Sequence, residues 1–189
     1  MTYVLSSPPF LADAAAPLRG FKAYELDTSR NPVPSYNRFD FYKVSLLTGH
    51  IVVQYATRTL ELKGTHLFFA SPRLPYSTLL LSAQVTGYAC LFTEAFVQSN
   101  SGLVSFHHSP LFQPDALPAC PLSSEQAIHC TEVFEQMLAA QHSGYIFKGE
   151  LLASYLQLLL HEGIRMQERL EDLFLPRPAA TGSTPQLLG

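Results

Sequence analysis

Between Phe39 and Phe92 the chain repeats one texture: short apolar runs rich in Val, Leu, Phe and Tyr, each stopped by turn residues. The runs are Phe41 to Leu47, Ile51 to Tyr55, Thr59 to Leu62, Leu67 to Ser71 and Tyr88 to Phe92, with Gly49, Gly64, Gly87 and the Pro72 to Pro75 segment between them. Strands this short and this closely spaced predict an antiparallel sandwich or small barrel. Thr48-Gly49-His50 and Ala56-Thr57-Arg58 are read as its tight turns. Ahead of it, residues 1–37 carry Pro8, Pro9, Pro17, Pro32 and Pro34 without sustained periodicity, and are read as an irregular arm lying on the domain. Residues 98–121 read as loop with room for one more strand.

At Ser123 the period changes from two to between three and four. Ser123 and Gln126 form the signature of a capping box, and Ala127, Cys130, Phe134, Met137 and Leu138 then recur as one apolar stripe. Gly144 ends that helix, and a second is expected from about Ile146 to Leu170. Strands followed by helices argue for an α+β domain with the helices packed on one side of the strands. Organised this way, the chain divides into an arm (1–37), a β-barrel (38–121), a helical segment (122–172) and a tail (173–189).

The second helix is apolar around an arc of about 200°, twice the stripe that packing on one core requires. One seam, Leu152, Leu156 and Leu159 with Gly163, serves the first helix and the barrel. Another, Leu151, Tyr155 and Leu158, is left for a second copy of the chain or for a barrel that wraps further around the helix.

Composition narrows the class. The 189 residues are 47% hydrophobic and 14% charged, below the roughly 25% charged of an average globular domain, which excludes disorder. The net charge of −3 has the wrong sign for holding nucleic acid. No run approaches the roughly 18 apolar residues of a membrane span, and no basic residue precedes Arg19, so a cytoplasmic protein is expected.

Candidate chemistry is sparse. Cys90, Cys120 and Cys130 are scattered, and Cys90 sits inside an apolar strand, where a thiol is a small core group. Of seven histidines, His50 and His66 stand alone, and neighbours His107 and His108 would point to opposite faces of a strand, so no metal or cofactor is expected. No nucleophile elbow or phosphate loop is present, and no catalytic residues are assigned. The polar aromatics offer more: Tyr36, Tyr42, Tyr55, Tyr76 and Tyr88 lie on or beside strands, where their hydroxyls either fix a small ligand against apolar walls or meet water at the rim.

Tyr36-Asn37-Arg38-Phe39-Asp40-Phe41-Tyr42-Lys43-Val44, then Gly49, Phe68-Phe69-Ala70-Ser71-Pro72-Arg73-Leu74-Pro75-Tyr76 and Gly87 to Phe96 together resemble the N-terminal sensor domain of AraC-type transcriptional regulators. Tyr145 to Leu152, leading into Leu158-Leu159-Leu160-His161-Glu162, resembles the dimerisation helix of the same family, so the resemblance covers about residues 35–170. It implies a cupin-like barrel of jelly-roll type, followed by two helices in an antiparallel hairpin that pairs subunits. Where metal cupins place a histidine after a proline-containing turn, this chain has Tyr76 after Pro75, in keeping with the absence of a metal.

The resemblance implies a homodimer that binds a small effector in the barrel and contacts DNA only through helix-turn-helix units outside this chain. The tail 173–189 is then a linker remnant, either of a longer regulator or of a natural protein that kept only the sensor half. Effector binding would order the arm, whose position biases how two DNA-binding units are held. Candidate ligand contacts are Arg38, Tyr42, Thr48, Tyr55, His66, Tyr76 and Tyr88, with Leu151, Tyr155 and Leu158 at the dimer interface. For a carboxylate effector, Arg38 and Lys43 would be the natural partners. The alternative is a free-standing cupin enzyme, an isomerase or dioxygenase.

Overall fold

A computed structural model describes residues 20–30, 36–37, 40–55, 57–104, 106 and 109–174, with the side chains of residues 36, 37, 104 and 171–174 left aside. Seven strands, β1 (Phe21–Asp27), β2 (Tyr36–Asn37), β3 (Tyr42–Tyr55), β4 (Arg58–Ala70), β5 (Tyr76–Leu80), β6 (Thr86–Phe92) and β7 (Ala119–Pro121), form one antiparallel sheet. The helices are α1 (Glu94–Gln98), α2 (Ser101–Val104), α3 (Ser124–His142) and α4 (Lys148–Phe174). The α+β class expected from the sequence is present. The strand path β1-β6-β3-β4-β7 does not close on itself among the described residues, so the sheet is not a hydrogen-bonded barrel.

Its centre is a long hairpin. β3 and β4 pair without interruption from Lys43 opposite Ala70 to Tyr55 opposite Arg58. Thr57 is a turn residue between β3 and β4, where the sequence put one, but Thr48-Gly49-His50 is not a turn: it lies in the middle of β3, with Gly49 facing Gly64 across the ladder. The same edge of β3 pairs first with β6, through Tyr42 to Thr48, and then with β5, through Ile51 to Tyr55. The sheet therefore forks at Gly49. Positive φ angles at Gly49, Gly64 and Gly87 (155°, 94° and 144°) give the backbone at the fork conformations that residues with a Cβ rarely adopt.

The arm is shorter than the sequence reading made it. Residues Phe21 to Asp27 form β1, in register with β6 from Phe21 opposite Phe92 to Asp27 opposite Thr86. Gln141 on α3 fastens this edge strand: its Oε1 accepts from the Ala23 amide at 2.6 Å and its Nε2 donates to the Ala23 carbonyl at 3.1 Å. One side chain thus satisfies a backbone donor and acceptor that would otherwise lack partners on an edge. Residues 1–19 and 31–35 of the proposed arm, and most of the tail, 175–189, lie outside the described residues.

Alternation along the strands separates two cores. On one face Ala23, Tyr42, Val44, Leu46, Leu67, Phe69, Cys90 and Phe92 pack under the helices. On the other, Leu26, Ile51, Val53, Tyr55, Leu62, Phe68, Ala70 and Tyr76 pack against one another across the fork. α3 begins with the expected capping box, Ser123 Oγ accepting from the Gln126 amide at 3.2 Å and Gln126 Oε1 from the Ser123 amide at 2.8 Å. It buries Cys130, Val133, Phe134, Met137 and Ala140. α4 buries Leu152, Leu156, Leu159 and Gly163 as the first seam requires, and packs on α3. Gly163 is needed there, because a Cβ would run into the Phe69 ring.

Cys90, Cys120 and Cys130 are completely buried, and burial pushes their thiols up to about 12, 12 and 11. Because the thiolate is the nucleophile, none of the three should react with an aromatic disulfide reagent in the native chain, and all three should react in guanidinium chloride. A fast-reacting thiol in the native state would contradict this packing.

Candidate functional site

In β3 the odd positions Lys43, Ser45, Leu47, Ile51, Val53 and Tyr55 face inward, between the two arms of the fork, while Tyr42, Val44, Leu46 and Thr48 face the helices. Register extends this parity across the sheet. Tyr76 and Thr78 on β5, opposite Tyr55 and Val53, share the inner face, as does Tyr24 on β1. Lys43, Ser45, Tyr76 and Thr78, together with Leu26, Leu47, Ile51, Val53, Phe68, Leu80 and Val85, line a cavity of about 30 Å³, room for a few atoms.

The polar part of the wall is the unusual part. Lys43 is partly exposed as a residue, and its ammonium lies within electrostatic reach of the hydroxyls of Tyr76 and Tyr24. Burial by itself would drive the ammonium towards its neutral form. Tyr76 and Tyr24 oppose that effect and shift its pKa above the ordinary lysine value. Among the described residues no carboxylate forms an ion pair with it. In the same cavity Ser45 Oγ and Thr78 Oγ1 are buried and have no hydrogen-bond partner among the described residues. Two buried hydroxyls are costly to leave unpaired.

The candidates from sequence divide between several places. Tyr55 and Tyr76 stand on the inner face, both edge-on to Phe68, with ring centroids 6.3 and 5.3 Å away. The Tyr55 hydroxyl lies near the Ser71 main chain without a well-formed hydrogen bond, and burial raises its pKa to about 12. His66 also faces inward, opposite Leu47 and Pro121, but does not line the cavity. Burial lowers its pKa, only partly opposed by the nearby Gly64 main chain.

Tyr42 belongs instead to the core beneath the helices. Its ring stacks on Phe92 at 5.3 Å, and its hydroxyl donates to Glu94 at 3.1 Å. Thr48 and Tyr88 line a separate open groove of about 420 Å³ between the sheet and α3, with Glu25, Asp27 and Arg30. There Tyr88 stacks on Phe134 and reaches Glu135 at 3.4 Å. Arg38 lies outside the described residues.

Sequence reasoning considered Lys43 only through its charge and missed Ser45, Thr78 and Tyr24. The available signal was parity: a lysine and a serine two apart within an otherwise apolar strand share the face of Ile51, Val53 and Tyr55.

Of the dimer seam, Leu151 and Tyr155 are half-buried against the helix-side core, and Leu158 is 38% exposed. More open still are Tyr145, Ile146 and Phe147 just before α4, with Ile146 83% exposed. Among the described residues no cluster of three or more His, Cys, Asp or Glu side chains is placed to hold a metal ion, and His50 pairs with Glu61 at 2.6 Å. No helix among them is long and apolar enough to cross a membrane.

Comparison with known proteins adds the following. No protein-family profile matches the chain, and no curated protein does. Solved structures similar to it include a cupin domain and AraC-like regulators. The Cnp3 cupin domain of Schizosaccharomyces pombe is 19% identical over 43% of this chain and 59% of its own, with a TM-score of 0.34. The AraC-like transcriptional activator CuxR is 15% identical over 86% of this chain and 52% of its own, at 0.39. ToxT from Vibrio cholerae is 9% identical over 86% of this chain and 61% of its own, at 0.45. The chain thus spans between 52% and 61% of the length of these three structures.

Proposed function

We propose that this chain is the effector-sensing and dimerisation domain of an AraC-type transcriptional regulator, which takes a small molecule between the arms of its forked sheet. The observation that carries this reading is the inner cavity. Its walls are apolar, yet a lysine and two hydroxyls without a partner among the described residues line it, the composition of a small-molecule site rather than of a filled core. Strands β3 and β4 line the cavity with one face and pack under the helices with the other, which supports a route from such a ligand to α3 and α4. A ligand that displaces the inner side chains of these strands also shifts the outer ones, and an effector acts only through such differential contacts.

In this reading two copies meet through Leu158 and the neighbouring apolar residues at the start of α4, and DNA is contacted by a domain beyond the chain. Light scattering combined with native mass spectrometry tests it. A metal-free dimer of about 42 kDa, twice the 21.0 kDa chain, is the expected result. A monomer holding one equivalent of metal would overturn it in favour of a cupin enzyme.

A further inference from the structure

We propose that the open groove between the sheet and α3 is a binding site for a linear polyamine, laid across the strands with one ammonium on Glu25. The site is separate from the inner cavity and does not depend on how that cavity is read. Register defines its floor. In the adjacent strands β1, β6, β3 and β4, Asp27 stands opposite Thr86, Thr86 opposite Thr48, and Thr48 opposite Thr65. All four line the groove, so one row across the sheet presents a carboxylate and three hydroxyls. The next row on the same face is Glu25, Tyr88 and Leu46, each again opposite the next. Above the two rows is α3, which buries Cys130, Phe134 and Met137 but presents only Ala127 and Thr131 to the groove.

Shape calls for a chain. Three strand spacings of roughly 4.8 Å make the floor about 14 Å long. The groove's volume of about 420 Å³ is that of a small-molecule site, and spread over this length it forms a slot. Its hydroxyls recur once per strand, a spacing close to that of nitrogens three methylenes apart in an extended chain. Successive N–H groups of such a ligand therefore each find an acceptor oxygen.

Charge calls for an amine. Among the described residues Glu25 forms no ion pair. Glu135 accepts from the Tyr88 hydroxyl at 3.4 Å, and Glu25 lies within electrostatic reach of the same hydroxyl. The cation that lines the groove is Arg30, which is tied to Asp27 at 3.5 Å and is itself largely exposed. The balance is negative, so an ammonium gains charge-assisted hydrogen bonds here and an anion is repelled.

The test is calorimetric titration of the folded chain with spermidine, and with 1,8-octanediol as a neutral chain of similar length, in about 0.15 M salt, where diffuse surface attraction is screened. The wild type should bind one equivalent of spermidine, at least tenfold more tightly than the diol. Ala127→Leu fills the slot from the helix side without changing charge and should weaken spermidine at least tenfold. Glu25→Gln removes the head-group carboxylate at an exposed position and should weaken it about fivefold or more while leaving the diol unchanged. If Ala127→Leu does not fold, Glu25→Gln decides alone. An Ala127→Leu or Glu25→Gln chain that binds spermidine like the wild type would show that the amine is held by diffuse surface charge, and would overturn the proposal. So would a diol that binds as tightly as spermidine, or the lack of saturable spermidine binding to a natively folded chain.

Discussion

Gly87→Ala should cost this domain about 3 to 5 kcal/mol and leave it largely unfolded at ordinary temperature. Two causes add. Gly87 has a φ of 144°, which side-chain-bearing residues rarely adopt. In addition, a methyl group there would overlap the Leu46 carbonyl on β3 and touch the Leu47 Cα. The clash is with backbone, so no rotamer change relieves it. Gly87 lies one residue from the end of the β3–β6 ladder, where β3 leaves β6 and turns to β5, and displacing it opens the fork that creates the inner cavity. Urea denaturation followed by circular dichroism measures the effect. A variant within about 1 kcal/mol of the wild type would mean that β6 does not approach β3 as described.

The second large effect is expected at Phe134. Its side chain is fully buried, stacks on Tyr88 with ring centroids 5.8 Å apart, and belongs to the cluster that joins α3 to the sheet. Phe134→Ala should cost about 3 to 5 kcal/mol, the range for emptying a buried aromatic site. The consequence extends beyond stability. Tyr88 is carried by β6, whose alternate residues face inward, so loosening α3 here uncouples the helices from the strands around the cavity. Denaturation in urea gives the energy. A loss below about 1 kcal/mol would show that α3 does not rest on this face of the sheet.

Much of the architecture was legible because the chain states its periods clearly. The capping box at Ser123 and Gln126, the stripe of Cys130, Phe134 and Met137, and the close-packing seam ending at Gly163 all stand as the spacing predicted. The strands were found but cut too short. Gly49 carries the usual mark of a turn, and only its pairing with Gly64, 15 positions along the chain, turns it into a bend within a 14-residue strand. β1 was lost within the proline-rich arm because Lys22, Glu25 and Asp27 interrupt its apolar residues, and its support comes from Gln141, 118 residues away from Ala23.

That shortening also blurred the site. With β3 read as two strands, Tyr42, Thr48 and Tyr55 appeared equally eligible for one pocket. As one continuous strand, parity separates them: Tyr55 shares the inner face with Lys43 and Ser45, and Tyr42 and Thr48 point to the helices. The hydroxyls of Ser45 and Thr78 carry no distinctive sequence signal, because being unpaired is a property of the packed structure. Lys43 did carry one, as the charged residue between Tyr42 and Val44 in an otherwise apolar run.

The most direct measurement is a methyl-resolved NMR titration of the chain with butyrate and then with butyramide. The account predicts that Ile51, Val53 and Val85, which line the cavity, shift with at least one of the two, while Ile128 and Ile146, exposed on the helical side, do not respond directly. Shifts confined to Ile128 and Ile146, with Ile51, Val53 and Val85 unmoved, would place binding outside the fork and contradict the claim that the interior of the sheet is the effector site.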